Sequence, residues 1–243
     1  MDLQPISYQA NGRAYTGFLA DGSGGALAPG MLLLHEGGGL TDHVKARAAR
    51  IAREIGAVAF TMDLFGADVA LPEPGRPETL AAAQAVVRAL REDVAELRAR
   101  CAAALAVLQR HPQVDPARLA ALGFCFGGAA AIELARAGAP LAAVAGFHAG
   151  IIPGSAEDDA RIRAKVLLCH GEDDPVVPAT QIRAFANGLD AAGVECRLHL
   201  YGGVGHSFTN PEIDAWGLPG FAYDADADAR AWAALRQLLD EAF

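Results

Sequence analysis

The chain has 243 residues, 52% of them hydrophobic, with 20 Lys and Arg against 29 Asp and Glu, a formal net charge of -9. A chain of this length buries a large core and commonly forms one α/β unit, so residues 1–243 are read as a single domain. The scattered basic residues exclude a nucleic-acid footprint, which needs clustered Lys and Arg.

The opening MDLQPISYQANG lacks the basic start and apolar stretch of a secretory signal. No apolar run approaches the roughly 20 residues of a membrane span, so a cytoplasmic location without a membrane partner is expected. Cys101, Cys125, Cys169 and Cys196 show no CxxC spacing and sit mostly in apolar runs. That pattern fits reduced thiols better than disulfides or zinc.

In chain order, strands are expected at Ile6–Gln9 and Arg13–Leu19, closed into a hairpin because Asn11-Gly12 favours a tight reversing turn. Further strands follow at Met31–Leu34, Val58–Met62, Leu119–Gly123, Ala142–Phe147, Lys165–Cys169 and Arg197–Tyr201. Helical patterns lie at His43–Ile55, Glu78–Arg110, Gly127–Arg136, Pro178–Ala192 and Asp226–Glu241. Apolar runs alternating with longer helical patterns are the signature of a mostly parallel sheet of about eight strands with helices on both faces, an α/β fold. His35, His148, His170 and His199 lie in or beside strands and read as structural, whereas His43 and His111 read as surface positions.

GFCFGG, residues Gly123 to Gly128, places one thiol among glycines between an apolar strand and a helix. Gly-x-nucleophile-x-Gly is the pattern of a nucleophile elbow, a sharp strand-to-helix turn that exposes its central side chain. The glycines allow strand and helix to approach closely. The elbow also sets Cys125 at a helix N-terminus, whose free N–H groups favour a thiolate.

Two later segments supply partners. KVLLCHGEDDPVVP ends a strand in Asp173 and Asp174, either of which suits the orientation of a base, and CRLHLYGGVGHSF runs a strand into a loop presenting His206. Nucleophile, acid and histidine in that order match an α/β-hydrolase triad, in which the carboxylate fixes the imidazole tautomer and the imidazole takes the nucleophile's proton.

With GFCFGG, GEDDPVVP, GHSF and HEGGG in hand, the chain resembles the dienelactone hydrolases, the α/β-hydrolase branch that uses cysteine in place of serine. The resemblance runs along nearly the whole chain. It implies Cys125 as nucleophile, His206 as base and Asp174, which precedes Pro175-Val176-Val177-Pro178, as the acid, with Asp173 second. It further implies Glu36 as a carboxylate beside the resting thiol, and the backbone N–H groups of Gly37 and Phe126 as the oxyanion hole.

Lactone-specific members hold the substrate carboxylate with arginines, one of them four residues beyond the histidine, where this chain has Asn210. Ser207, Phe208, Asn210 and Arg88 are the candidate substrate contacts, with Arg76 and Arg91 as other sources of a cation and Phe65, Phe126 and Trp216 as other aromatics near the pocket.

HEGGG is not a zinc-protease motif, because Gly39 stands where the second histidine is needed, and no G-x-G-x-x-G opens a helix after the first strand. No metal or cofactor is implied. The expected function is hydrolysis of a small ester or lactone by acyl transfer to water. The alternative is a broad-specificity esterase or thioesterase with a phosphotriester side activity. A redox-sensing thiol protein and a non-catalytic binding domain are disfavoured by the intact Cys–Asp–His order. The sequence is equally compatible with a monomer and a homodimer.

Overall fold

Runs such as Met31-Leu32-Leu33-Leu34 are apolar at every position, which suits a strand covered on both faces. In the computed structural model, which describes residues 2–243, these runs build one eight-stranded sheet. Its strands are β1 (Gln4–Ala10), β2 (Arg13–Asp21), β3 (Ala28–Leu34), β4 (Val58–Met62), β5 (Val114–Phe124), β6 (Ala143–Phe147), β7 (Lys165–Gly171) and β8 (Cys196–Tyr201), in the spatial order β1-β2-β4-β3-β5-β6-β7-β8. The first pairings, β1 with β2 and β2 with β4, are antiparallel and all others parallel. The β1–β2 turn uses Asn11 at φ 47° and Gly12 at φ 77°, the left-handed pair that the Asn-Gly signal anticipates.

Helices α1 (Asp42–Ile55), α2 (Pro77–Glu92), α3 (Val94–Gln109), α4 (Phe126–Arg136), α5 (Ala156–Asp159), α6 (Ala179–Ala191) and α7 (Ala225–Ala242) complete the fold. Because strand side chains alternate, Leu32 and Leu34 join one core with Leu97, Ile132 and Ile182 from α3, α4 and α6. Met31 and Leu33 join the opposite core with Val44, Ile51 and Leu235 from α1 and α7. The short α5 and a 3-10 turn at Ile213–Trp216 are too brief to leave a periodic signal in the sequence.

Two expectations are corrected here. The single helix expected over Glu78–Arg110 is two helices, because Asp93 leaves the helical region (φ -106°, ψ 78°) and caps α3 by accepting the Glu96 N–H at 3.0 Å. Asp-x-x-Glu is a capping-box spacing, and it stops α2 as it starts α3. His43 is buried rather than a surface residue, since the first turn of α1 sets its ring edge-on to Phe124 at 5.2 Å.

Connections leave β3 toward β4 on one side and return to β5 on the other, so the topological switch lies between β3 and β5. In an open α/β sheet the crevice at the carboxyl ends of such strands is where ligands bind. Cys125 follows β5 and Glu36 follows β3 at that crevice.

Candidate active site

Cys125 joins β5 to α4 with φ 51° and ψ -116°, a left-handed backbone that costs energy for a residue with a Cβ. The surroundings hold it there. Its N–H donates to the Phe147 carbonyl at 3.0 Å, and its own carbonyl accepts from Gly128 at 3.0 Å and Gly150 at 2.9 Å. A Cβ on Gly123 would sit 2.0 Å from the Gly127 carbonyl oxygen, and one on Gly127 would sit 2.1 Å from that of Leu34. The glycines around the thiol are thus required by backbone-to-backbone contact. Among the described residues, the N–H groups of Phe126 and Gly37, at the ends of adjacent strands, have no acceptor.

Cys125 is half-buried, and its side chain lies beside His206. Burial pushes the thiols of Cys169 and Cys196 up to about 12, and that of Cys101 higher still, so those three are poor nucleophiles.

The ring of His206 is buried, and its Nδ1 lies 2.6 Å from Asp174 Oδ2. An ionised carboxylate only accepts, so Nδ1 carries a proton, and Nε2 is the nitrogen left to exchange one with the Cys125 sulfur. Nε2 has no conventional hydrogen-bond partner among the described residues. Burial disfavours the imidazolium, but the Cys125 sulfur and the Asp174 carboxylate outweigh it and raise the His206 pKa from 6.5 to about 10.

Asp174 itself is fixed on both oxygens. Oδ1 accepts the Val176 and Val177 N–H groups at 2.7 and 2.9 Å, and Oδ2 faces His206 with His170 Nε2 a further neighbour at 3.5 Å. Burial would raise its pKa, yet the His206 hydrogen bond and the other donors hold it below the usual carboxylate value. Asp173, its neighbour in sequence, is exposed.

Glu36 extends from the end of β3, its side chain 13% exposed, with Oε2 accepting from Asn210 Nδ2 at 2.8 Å and Oε1 3.6 Å from His148 Nε2. No hydrogen bond joins Glu36 to Cys125 among the described residues; Asn210 holds the carboxyl instead. Burial raises the Glu36 pKa above its ordinary 4.5 despite that hydrogen bond and the nearby His206 and Arg47 charges. A carboxyl that binds its proton more tightly when folded stabilises the protein fully below 4.5, and the contribution is lost as pH rises through the folded value. Glu36→Gln keeps the shape without the charge, so its melting temperature is expected to climb relative to wild type as pH rises from 4.5 through the raised folded value. A difference that stays constant across that range removes the assignment.

Of the expected substrate contacts, Ser207 is buried at φ 57° in the turn after His206, and Asn210 is engaged by Glu36. Phe208 is fully buried, with its ring against Tyr201 at 5.5 Å and His148 at 5.4 Å, which makes it a core contact rather than a pocket wall. Arg88 is exposed and has no ion-pair partner among the described residues. One turn on, Arg91 donates to the Ile151 carbonyl at 2.8 Å, next to the Gly150 that bonds Cys125. Val87 lies over Gly37, 3.7 Å from where its Cβ would be, so α2 roofs the site.

The sequence reads His148 as structural and does not single out Thr209. His148, at φ 39° after β6, is wholly buried with its ring 5.1 Å from that of His206. Its Nε2 meets Thr209 Oγ1 at 2.9 Å, and the Thr209 carbonyl accepts from Arg47, which pairs with Asp228 at 2.8 Å. A histidine at a third strand end beside the nucleophile was the available signal.

A strand, a strained elbow and a helix, followed by an acid and a histidine from later strand ends, define an α/β-hydrolase. Residues 16–243 match the dienelactone hydrolase family, and the chain belongs to it. The structure named m3DLH is 41% identical with a TM-score of 0.91, covering 100% of this chain and 98% of that one. A dienelactone hydrolase-like promiscuous phosphotriesterase from metagenomic libraries is 37% identical with a TM-score of 0.90 over the same shares, 100% and 98%. A Synechocystis protein named "Putative carboxymethylenebutenolidase" is 27% identical over 91% of this chain and 89% of its own length. Among the described residues, no helix is long and apolar enough to cross a membrane.

Proposed function

We propose that this dienelactone hydrolase-like protein cleaves small carboxylic esters or lactones through a thioester on Cys125. The observation that carries the reading is His206, tethered to Asp174 at Nδ1 and unpartnered at Nε2, beside a thiol on a strained elbow.

His206 Nε2 takes the Cys125 proton as sulfur attacks the carbonyl carbon. The oxyanion is received by the Phe126 and Gly37 N–H groups, whose places on the elbow and at the end of β3 are fixed before the reaction, so they need little reorganisation. The tetrahedral species collapses, His206 returns the proton to the departing alkoxide oxygen, and an S-acyl cysteine remains. Water then gives a proton to His206 and attacks the thioester, releasing the acid and regenerating the thiol. Glu36, buried against the site, supplies a second proton-binding group near the thiol.

Asn210 narrows the substrate. A neutral amide engaged with Glu36 offers no cation to a substrate carboxylate, and the acidic Glu36 beside it supplies none either. Uncharged acyl groups therefore suit the site better than carboxylate-bearing lactones. A slower phosphotriester cleavage on the same groups is favoured by the 37% identical phosphotriesterase, which covers the full chain.

The test pairs p-nitrophenyl acetate with a dienelactone and adds an acid quench for intact and peptide mass. Acetate turnover faster than lactone turnover, with an acetyl group on the Cys125 peptide, is expected. Inertness toward both substrates, or an adduct on another residue, overturns the reading.

A further inference from the structure

The two edges of the sheet are built differently. β1 carries Pro5, which has no N–H to offer, a common way of blocking edge-to-edge pairing. β8, CRLHLY, has neither proline nor bulge. Val166 N–H bonds the Glu195 carbonyl and Glu172 N–H bonds that of Tyr201, so the odd-numbered residues of this stretch turn their backbone toward β7. Cys196, Leu198 and Leu200 turn theirs outward, an unpaired row at the end of the sheet.

Beside that row, α6 and β8 border an open groove of about 360 Å³ floored by Cys196 and Leu198 and walled by Ala186 and Asn187. Arg183 and Asp190 stand at opposite ends of the wall. Among the described residues Arg183 pairs only with Glu172, at 3.3 Å, both about half exposed, which is a weak tie. Arg183, Asn187 and Asp190 share one face of α6, and the midpoint between the two charges falls at Ala186–Asn187, beside Leu198.

We propose that this edge binds a second copy of the chain through a two-fold axis at Leu198, joining β8 antiparallel to the partner's β8. A two-fold interface uses the same patch twice, so it needs a self-complementary surface. Here the axis pairs Leu198 with its counterpart and Cys196 with the counterpart of Leu200, giving about six backbone hydrogen bonds. The same axis brings Arg183 of each copy to the Asp190 of the other, with the small Ala186 and the polar Asn187 between them. Opposite charges placed symmetrically about the level of the unpaired strand select a second copy over an unrelated partner.

The experiment is sedimentation velocity over a concentration series on wild type, Arg183→Glu, Asp190→Arg and the double swap. Wild type is expected as a dimer of the 25.2 kDa chain. Each single reversal sets like charges across the axis and is expected to weaken the dimer by roughly tenfold or more, and the double swap to restore it. Circular dichroism checks that the variants fold, all changes being on exposed side chains. Leu198→Pro, which removes an outward N–H and no bond to β7, is expected to give monomer. A monomeric wild type, single reversals that associate as tightly as wild type, or a double swap no better than either single overturns the proposal.

Discussion

Asp174→Asn is expected to lower kcat/KM for p-nitrophenyl acetate by about ten-thousandfold with the fold intact. The reason lies in the two oxygens of Asp174. Oδ1 accepts the Val176 and Val177 N–H groups, and an asparagine oxygen keeps both bonds, so the turn stays closed. The other atom becomes an NH2 facing His206 Nδ1 at the present 2.6 Å. A donor there favours the tautomer with a bare Nδ1 and a protonated Nε2, which cannot take the thiol proton. His170 gives no rescue, because its Nε2 bonds the Val177 carbonyl at 2.8 Å and supplies no acceptor. Asp174→Ala, by comparison, also releases the two backbone bonds and adds a fall in stability. Kinetics of both variants with thermal melts separate the effects; less than about a tenfold loss in Asp174→Asn would mean that His206 is oriented by something else.

Gly127→Ala is the second large effect, and it acts on folding. The added Cβ meets the Leu34 carbonyl oxygen at 2.1 Å, the Leu34 carbonyl carbon at 2.5 Å and the His35 oxygen at 2.6 Å. All three are backbone atoms at the end of a central strand, so no rotamer change relieves the clash. α4 must lift from β3, which also moves the elbow. A cost above about 4 kcal/mol is expected, read as insoluble protein or as a collapsed urea midpoint. Gly188→Ala in α6 is the matched control: nothing lies within 4 Å of its Cβ position, so it gains stability through helix propensity, by about 0.5–1 kcal/mol. If Gly127→Ala melts like wild type, the close approach of α4 to β3 is not what the glycine serves.

How much of this was legible follows from what each signal depends on. Burial on two faces writes itself into consecutive apolar residues, so strands such as Met31–Leu34 and Val58–Met62 lie close to their observed positions. Packing of the elbow backbone demands glycine, so GFCFGG carries its own geometry. The Asp93 break was also written, as Asp-Val-Ala-Glu, but alanine-rich flanks on both sides mask one polar cap within a long helical pattern. Asn210 is a different case. Its position relative to His206 marked it as a substrate contact, whereas its partner Glu36 lies 174 residues away, and no local pattern encodes that pairing. His43 and Phe208 were misjudged for the same reason, since their burial is decided by which tertiary neighbour arrives.

The Asp93 joint has a mechanical consequence. α3 lies across β1, β3, β4 and β5 and is part of the core, while α2 packs on α3 and carries Val87 and Arg91 over the entrance to Cys125. A continuous helix would transmit any change in its first half straight into the sheet. With a cap between them, α2 behaves as a shingle nailed at one end: its length, tilt and side chains can be altered to fit a different acyl group while the beam beneath stays where the nucleophile needs it.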